Sequence, residues 1–359
     1  MSDPLAPGSV IGILGGGQLG RMLAQAGAQL GFDIHVFDTA PNGPAARVAA
    51  RSWAAPWDDD GAVQTFAAKC DVLTFEFENI PASALAAAES EAPIRPGRRS
   101  LELTQDRLVE KNFIRDAGCH TVDFAEVNSA ADLAAAVESL GRPSILKTRR
   151  FGYDGKGQTV IRDDTDLGEA WATIGQQPAI LEAFAPFARE LSVVAARSLA
   201  GELAVYPLAE NSHSGGILRI STAPAHAASA LVEAATGIAR RIGDGLGHVG
   251  VFAVELFEVD GELIVNEIAP RVHNTGHWTM DACACSQFEQ HMRAVAGWPL
   301  GSTAPHSACE MTNLIGEDVA PWQTLAAEDG ACLHLYGKNE IRPGRKMGHI
   351  NRLFPLDGD

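Results

Sequence analysis

The sequence predicts a protein of the α/β and α+β classes, with a parallel-sheet domain, a small lid and an antiparallel part in that order. Residues 9–104 alternate short apolar strands with helical stretches, which is the pattern of a parallel sheet with right-handed crossovers. Residues 189–267 carry longer strands, and Gly201 and Asp260-Gly261 supply hairpin turns between them. A polar, Gly-rich hairpin lies between these two regions.

The predicted elements follow in chain order. In a Rossmann-like first domain, residues 1–104, we expect strands at 9–14, 33–37 and 71–75, a helix that ends at 28 and a helix at 61–69. Residues 105–298 form the second domain, which begins with a helix at 105–117 and has a lid over about 120–185 that contains a helix at 130–140 and strands at 144–147, 158–161 and 179–183. Its remaining elements are strands at 190–197, 202–207, 249–258 and 263–268 and a helix at 225–242. A β-rich C-terminal domain, residues 299–359, includes a strand at 333–336.

Composition and charge exclude several kinds of function. The chain of 359 residues has a formal net charge of −17, which disfavours binding to nucleic acid or to anionic membranes. It has no apolar run long enough to cross a bilayer, and its N-terminus lacks the features of a signal peptide, so we expect a cytoplasmic protein. The six cysteines lack the paired spacing of a zinc site and are predicted to be buried, reduced thiols.

A Gly-rich segment follows the first predicted strand. Residues 15–20, GGGQLG, match the G-x-G-x-x-G pattern at the start of a helix, and Asp38 ends the second strand. This context suits NAD or FAD, because glycines let the backbone approach phosphate at a helix N-terminus. Two other interpretations stay open: a phosphate loop for another ligand, or a tight turn needed only for packing.

Two acidic residues lie in consecutive apolar strands, Glu255 in VFAVELF and Glu267 in LIVNEIAPR. A carboxylate is costly to bury without a partner, and Asn266 stands beside one of them. A divalent cation between the two would explain both, since Mg²⁺ prefers oxygen ligands, few protein carboxylates and open positions for phosphates. The alternative is that alternate residues of this hairpin face solvent.

Lys147 ends an apolar strand, where it can reach nucleotide phosphates as a point charge. The loop at 152–157 has three glycines in six residues, which lets backbone N–H groups turn onto phosphate oxygens and lets the loop close over a nucleotide. A surface lysine and a plain hairpin are the alternatives. Glu190 is a candidate to accept from ribose hydroxyls, and the backbone near Glu182 could meet an adenine edge, although either residue alone is typical of a solvated acid.

Four strings in the chain resemble one family: GQLGRM (17–22), KTRRFGYDGKGQ (147–158), NEIAPRVHNTGHWT (266–279) and RPGRKMGHIN (342–351). They are similar to 5-(carboxyamino)imidazole ribonucleotide synthases, which are ATP-grasp ligases of purine biosynthesis. The resemblance covers about residues 10–354, and the third string is the most specific. It implies an ATP-grasp fold, a homodimer, and a reaction in which ATP with Mg²⁺, or with Mn²⁺, joins bicarbonate to the amine of 5-aminoimidazole ribonucleotide.

The resemblance also implies roles for individual residues. Those matching nucleotide-binding positions are Arg107, Lys147, Gly152, Tyr153, Asp154, Gly155, Lys156, Gly157, Gln158, Glu182, Ala183, Phe184, Ala185, Glu190, His213, Asn266 and Glu267. Those matching metal ligands are Glu255 and Glu267. Those matching positions around bicarbonate and the ribonucleotide are Tyr153, Asp154, Lys156, Arg271, His273 and Lys346. Residues 15–20 would then serve the N-terminal domain, or the ribonucleotide, rather than NAD.

The implied reaction begins with transfer of the γ-phosphoryl group of ATP to bicarbonate, which forms carboxyphosphate. Carboxyphosphate then meets the amine directly or first releases CO₂, with Asp154 as the candidate to orient or deprotonate that amine. For His273, His277 and Lys346, hydrogen bonds that support a loop or plain surface exposure are the alternatives. Two departures leave lid details open: Lys156 replaces a common arginine, and Phe151 stands where a small residue is expected.

Three rival functions stay open. One is another ATP-grasp carboxylate–amine ligase that transfers formyl or amino-acid groups, against which only the resemblance of residues 271–278 argues. Another is an NAD-dependent oxidoreductase built on residues 15–20, which leaves Glu255, Glu267 and Lys147 unexplained. The third is a catalytically inactive binding protein, which the full set of phosphate, metal and substrate candidates disfavours.

Overall fold

The computed structural model describes residues 3–152 and 156–356, and its N-terminal layer is a parallel sheet. The strands pair in the order β3-β2-β1-β4 and are β1 (Val10–Leu14), β2 (Asp33–Asp38), β3 (Arg51–Ala54) and β4 (Val72–Phe75). The helices of this part are α1 (Gln18–Gln29), α2 (Asp60–Ala67), α3 (Ala82–Glu89) and α4 (Arg98–Thr104). The predicted parallel arrangement is confirmed. Strand β3 had not been predicted, because this short edge strand is mostly exposed and lacks an apolar run.

The lid is a separate antiparallel sheet with its own apolar core. Helix α5 (Arg107–Asp116) leads into it, and its elements are β5 (Phe124–Val127), α6 (Ala130–Leu140), β6 (Ser144–Thr148), β7 (Gln158–Ile161), α7 (Leu167–Thr173) and β8 (Ala179–Ala183). The strand order is β5-β8-β6-β7, and Leu146, Trp171 and Leu181 pack in the core. The helix predicted at roughly 105–117 is confirmed, and it begins at Arg107 because Asp106 adopts an extended conformation and its side chain accepts from the backbone of α5.

The remaining strands form one large antiparallel sheet. Its first elements are β9 (Arg189–Arg197), β10 (Leu203–Val205), β11 (Ala209–Ser214), β12 (Ile217–Ala223), α8 (Ser229–Leu246), β13 (Gly250–Val259) and β14 (Glu262–Ala269). The chain continues through the 3-10 turn Asn274–Gly276, α9 (Thr279–Ala282), α10 (Gln287–Ala296), β15 (Ala308–Ile315), the 3-10 turn Gly316–Val319, α11 (Trp322–Ala326), β16 (Ala331–Leu335) and β17 (Lys346–Phe354). The order is β14-β13-β9-β11-β12-β15-β17-β16, and β10 also pairs with β9. The β11–β12 hairpin was missed, because Ser, His and Asn in β11 have low strand propensity.

One apolar core connects the parallel sheet, the large sheet and the C-terminal strands. It contains Ile11 and Met22 from the N-terminal layer, Val194 from β9, Trp278 from the segment before α9 and Met311 from β15. Because β15 pairs with β12, the C-terminal strands extend the sheet of the second domain rather than forming one of their own. The domain boundaries at 104 and 298 therefore stay predictions.

All six cysteines are free thiols, with Cys119, Cys283, Cys285 and Cys309 buried and Cys70 and Cys332 partly buried. Burial raises the pKa of Cys283 and of Cys309 to about 12, so both remain protonated at neutral pH. Across residues 3–152 and 156–356, no helix combines the length and the apolar character that crossing a membrane requires.

Candidate active site

Glu255 and Glu267 are cross-strand partners in β13 and β14, so their side chains leave the same face of the sheet. The register shifts immediately after Glu255, which marks a bulge at this point of the hairpin. Arg107 Nη1 donates to Glu267 Oε2 at 2.9 Å, and Asn266 Nδ2 lies 3.5 Å from Glu255 Oε2. The structure therefore brings together the two carboxylates that the sequence singled out.

The electrostatics of this pair favour a cation. Burial and the neighbouring Glu267 raise the pKa of Glu255 to about 7. Burial also acts to raise the pKa of Glu267, but Arg107 outweighs it and the net shift is downward. Among the described residues, no group of three or more His, Cys, Asp or Glu is arranged to hold a metal. Two carboxylates with no further protein ligand suit Mg²⁺, whose other positions are filled by phosphate oxygens and water.

Lys147 shares a buried carboxylate with a second lysine. Lys147 Nζ donates to Glu182 Oε2 at 2.6 Å, and Lys111 Nζ lies 3.2 Å from Glu182 Oε1. Burial acts to raise the pKa of Glu182, which is 3% exposed, but the two ammonium groups outweigh it and lower the pKa to about 2. Two cations on one anion leave positive charge at the end of β6, where a nucleotide phosphate would be attracted.

The start of α5 connects the lid to the hairpin of β13 and β14. The Asp106 side chain accepts hydrogen bonds from the N–H groups at the start of α5. Its carboxylate also accepts hydrogen bonds from Arg149, from Nε at 2.9 Å and from Nη2 at 2.9 Å. The next residue, Arg107, reaches Glu267 through Nη1 and donates through Nη2 to the carbonyl of Gly152 at 3.2 Å. One turn of helix thus holds both the Gly-rich loop and a candidate metal ligand.

Glu110, on the same helix, forms a buried hydrogen bond with the backbone of β14. Its Oε1 accepts from the backbone N–H of Ile268 at 2.6 Å. Burial and the nearby Glu267 raise the pKa of Glu110 to about 8. Asp106, Glu110 and Lys111 had not been singled out in the sequence. The only available signal was a charged residue at a position of α5 that faces the core, and this signal does not reveal the partner.

His213 and Glu190 meet on the neighbouring strands β11 and β9. His213 Nδ1 contacts Glu190 Oε2, at a point where a register shift precedes His213 in β11. Burial acts to lower the pKa of His213, but the contact with Glu190 outweighs it and the net shift is upward. Both residues lie on the large sheet that carries Glu255, as a shared nucleotide site requires.

Arg271, His273 and Lys346 lie close together on one side of the site, where Arg271 and Lys346 carry the positive charge. His273 Nε2 lies 3.5 Å from Glu255 Oε1, and Arg271 Nη2 lies 3.0 Å from Glu78 Oε1. Burial, Arg271 and Lys346 together hold the pKa of His273 well below its usual range, so its ring is neutral. Glu78 had not been predicted, because no local pattern links it to Arg271.

The other candidates line the lid. Gln158 pairs with Lys147 across β7 and β6, and Gly157, at φ +69°, accepts from the N–H of Thr148 at 2.8 Å. After Glu182 and Ala183 in β8, Phe184 is 45% exposed and Ala185 is buried. Lys156 and Gly152 flank the part of the loop that contains Tyr153, Asp154 and Gly155, and these three lie outside the described residues.

Phe151, the unusual residue of the Gly-rich loop, has a left-handed backbone and an exposed side chain. Its φ is +63°, a conformation that a bulky residue adopts at a cost and that glycine adopts freely. A small residue is expected at this position because the backbone has a positive φ, which favours glycine.

The loop at 15–20 is filled by acidic side chains. Glu76 Oε1 accepts from the N–H of Gly17 at 2.7 Å, and a Cβ on Gly15 would lie 2.8 Å from Glu76. A Cβ on Gly16 would lie 2.4 Å from the carboxylate of Asp38. These glycines are needed because the side chains of Glu76 and Asp38 approach the loop closely, so the tight turn agrees with the structure.

Comparisons with known proteins agree with this geometry. Family models match at residues 9–105 (ribonucleotide synthetase preATP-grasp domain), 112–288 (ATP-grasp domain) and 309–355 (phosphoribosylaminoimidazole carboxylase C-terminal domain). The fold and the site together define an ATP-grasp protein, an ATP-dependent carbon–nitrogen ligase.

Relatives of known name narrow this class. The N5-carboxyaminoimidazole ribonucleotide synthase of Brucella melitensis is 49% identical over 98% of this chain and 98% of its own length. That of Bacillus subtilis is 43% identical over 96% of this chain and 91% of its own length. The chain belongs to the N5-carboxyaminoimidazole ribonucleotide synthase family, whose members are ligases of purine biosynthesis. The NAD-dependent oxidoreductase is thereby removed as an alternative.

Solved structures show the same fold. The Staphylococcus aureus synthetase complexed with ADP superposes with a TM-score of 0.94 at 37% identity, over 98% of this chain and 95% of that one. The Aspergillus clavatus synthase in complex with ADP and 5-aminoimidazole ribonucleotide superposes with a TM-score of 0.91 at 32% identity, over 98% and 95%.

Proposed function

We propose that this chain uses ATP to join bicarbonate to the amine of 5-aminoimidazole ribonucleotide. The products would be 5-(carboxyamino)imidazole ribonucleotide, ADP and phosphate. The observation that carries the proposal is the Glu255–Glu267 pair, placed beside Arg107, which also donates to the carbonyl of Gly152 in the lid loop. The Aspergillus clavatus relative, solved with ADP and 5-aminoimidazole ribonucleotide, supports the choice of substrates.

In the proposed site, Glu255 and Glu267 hold Mg²⁺, or Mn²⁺ in its place. When bound, the ion would neutralise charge on the phosphates of ATP. Arg107 and Lys147 offset further phosphate charge, and Lys147 keeps its position because Glu182 binds its ammonium group. The ribose would lie at Glu190 and His213, and the adenine at residues 182–185.

Bicarbonate and the ribonucleotide occupy the other side of the proposed site. Arg271 and Lys346 supply positive charge there, and the neutral His273 ring can donate or accept a hydrogen bond. Bicarbonate would take the γ-phosphoryl group, and the resulting carboxyphosphate would meet the amine or first release CO₂. We assign Asp154 to orienting or deprotonating the amine. Tyr153 and Lys156 would contact bicarbonate and the ribonucleotide from the lid. Closure of the lid would exclude water from an intermediate that hydrolyses readily.

The proposal extends to the setting of the reaction. We infer a homodimer in the cytoplasm, as the family resemblance and the composition suggest. Neither nucleic acid nor a membrane is a proposed partner, in line with the net charge of −17.

The test of the proposed function is Glu267→Gln, measured as ADP release with bicarbonate in the presence and absence of 5-aminoimidazole ribonucleotide. Loss of the negative charge should lower the ribonucleotide-dependent rate by at least about 100-fold while the protein stays folded. Glu262→Gln, at the exposed start of the same strand, is the matched control and should keep its rate. Near-normal turnover of Glu267→Gln would remove the metal assignment. Equal rates with other amines would remove the assigned substrate.

A further inference from the structure

Gln287, the first residue of α10, is fully buried behind the loop that carries Arg271 and His273. Its Oε1 accepts from the backbone N–H of His273 at 2.9 Å, and its Nε2 donates to the carbonyl of the same residue at 2.7 Å. One side chain therefore satisfies both backbone groups of His273. A third bond joins Nε2 to Nδ1 of His277 at 3.0 Å.

Only one orientation of the Gln287 side-chain amide is compatible with these hydrogen bonds. Exchanging its oxygen and nitrogen would set donor against donor at the His273 N–H and acceptor against acceptor at the His273 carbonyl. Since Nε2 donates, Nδ1 of His277 must accept, and His277 is a neutral ring with its proton on Nε2.

The surroundings leave Gln287 no room to move. Its own backbone N–H donates to Thr279 Oγ1 at 2.9 Å. A Cβ on Gly276 would lie 2.6 Å from Oε1 of Gln287, so glycine is required where the loop passes over the amide. The loop and the amide thus fit each other closely.

The His273 ring extends from this fixed backbone toward the site, where Nε2 lies 3.5 Å from Glu255 Oε1. We propose that Gln287 is a positioning residue for the ligase reaction, which holds the His273 ring against Glu255 through the two backbone groups of His273. This inference rests on the proposed function, because it assumes that Glu255 and His273 belong to the active site. Gln287 itself touches no reacting atom.

The same helix provides a matched control. Gln290 is also fully buried, and its amide also holds both backbone groups of one residue: Gly301 N–H donates to Oε1 at 2.7 Å and Nε2 donates to the Gly301 carbonyl at 2.8 Å. Gly301 lies in the connection before β15 and belongs to no assigned part of the site. Replacing either glutamine by methionine removes the same kind of support from a different segment.

The experiment compares Gln287→Met and Gln290→Met by thermal unfolding and by steady-state ADP release with ATP, bicarbonate and 5-aminoimidazole ribonucleotide. We expect both variants to lower Tm by a similar amount. Only Gln287→Met should lower kcat, on the order of 100-fold, because a catalytic group displaced by about 1 Å costs that much. The Mg²⁺ concentration for half-maximal rate should rise in Gln287→Met alone.

Further variants keep the inference falsifiable. Gln287→Glu keeps the acceptor for the His273 N–H and should give a kcat between those of the wild type and Gln287→Met; it also replaces Gln287→Met if that variant does not fold. Equal kcat values for the Gln287 and Gln290 variants would overturn the positioning role. His273→Ala and Glu267→Gln are measured alongside. If both retain activity, the proposed site itself fails, whereas if both lose activity and the Gln287 variants do not, only the role of Gln287 fails.

Discussion

At the scale of single residues, buried charged side chains depend on their ion-pair partners, and Glu182 is the clearest example. It neutralises two lysines, Lys111 and Lys147, in a place where each ion has lost most of its water. Burial lowers the pKa of Lys111 despite this partner. A charge left alone in such a position costs several kcal/mol, so the three groups depend on one another.

We therefore predict that Glu182→Gln destabilises the protein by about 3–5 kcal/mol, since both ammonium groups would stay buried after losing the carboxylate that they share. Urea unfolding at pH 7 measures the difference. Glu233→Gln, on the exposed face of α8, removes the same charge and should change the free energy of unfolding by less than about 0.5 kcal/mol. Similar losses in the two variants would contradict the role given to Glu182.

The Glu182 carboxylate also makes the free energy of unfolding depend on pH, and the direction of this dependence can be predicted. The pKa of Glu182 is lowered from 4.5 to about 2 in the folded protein, so its stabilisation is fully present above pH 4.5 and is lost as the pH falls toward 2. The difference in unfolding free energy between the wild type and Glu182→Gln should narrow over that window. A constant difference from pH 6 to pH 3 would contradict the assignment.

Part of the site could be predicted from single residues. Glu255 and Glu267 stand out because each interrupts an apolar strand, and such a position requires a partner. The partner of Lys147 could not be predicted, because Glu182 is 35 residues away and is brought close only by the pairing of β6 with β8. Glu76 was missed for the same reason, so the glycines at 15–20 suggested a ligand instead of a carboxylate.

At the scale of elements, the start of α5 connects the lid to the large sheet through side-chain contacts. Its N-cap residue, Asp106, accepts from the first N–H groups of the helix and binds Arg149 from the segment after β6. Its first helical residue binds Glu267 on β14. Because these contacts share one helical turn, a change at the cap should affect both stability and nucleotide binding.

We predict that Asp106→Ala and Asp106→Asn can separate these two effects. Asparagine keeps the cap, so Asp106→Ala should be less stable than Asp106→Asn by about 1 kcal/mol. Both variants lose the carboxylate that binds Arg149, and both should raise the KM for ATP several-fold. Asp166→Ala removes the cap of α7 and should cost about 1 kcal/mol without changing that KM. An unchanged KM in both Asp106 variants would show that the lid does not depend on this contact.

Elements with strong periodicity were predicted within a few residues, α6 and β6 among them. The β11–β12 hairpin was not, since its strands gain stability from pairing with β9 and β15 rather than from their own residues. Tertiary pairing of this kind leaves little trace in a local pattern.

At the scale of the whole molecule, the apolar residues form several cores, of which one is shared between layers and one is confined to the lid. The shared core joins the N-terminal layer, the large sheet and the C-terminal strands, whereas the core around Leu146 belongs to the lid. Parts that share a core unfold together, and a part with its own core can open alone.

Hydrogen exchange should reveal this division. We predict faster exchange in β5, β6 and β8 than in β1 and β13. Leu146→Ala and Ile13→Ala each remove a fully buried side chain and should each cost about 2–5 kcal/mol locally. The first variant should accelerate exchange in the lid alone, and the second should accelerate it through the N-terminal layer and the large sheet together. Faster exchange of the large sheet in Leu146→Ala would show that the lid is not a separate unit.

The free thiols of the shared core have a consequence for the chemical lifetime of the protein. Cys283 and Cys309 are buried and hold their protons firmly, so neither is a nucleophile while the fold is intact. Alkylation or oxidation at these sulfurs must wait for the surrounding strands to separate. Damage of this kind therefore follows the loss of structure instead of causing it, and its pace is set by how often the core opens.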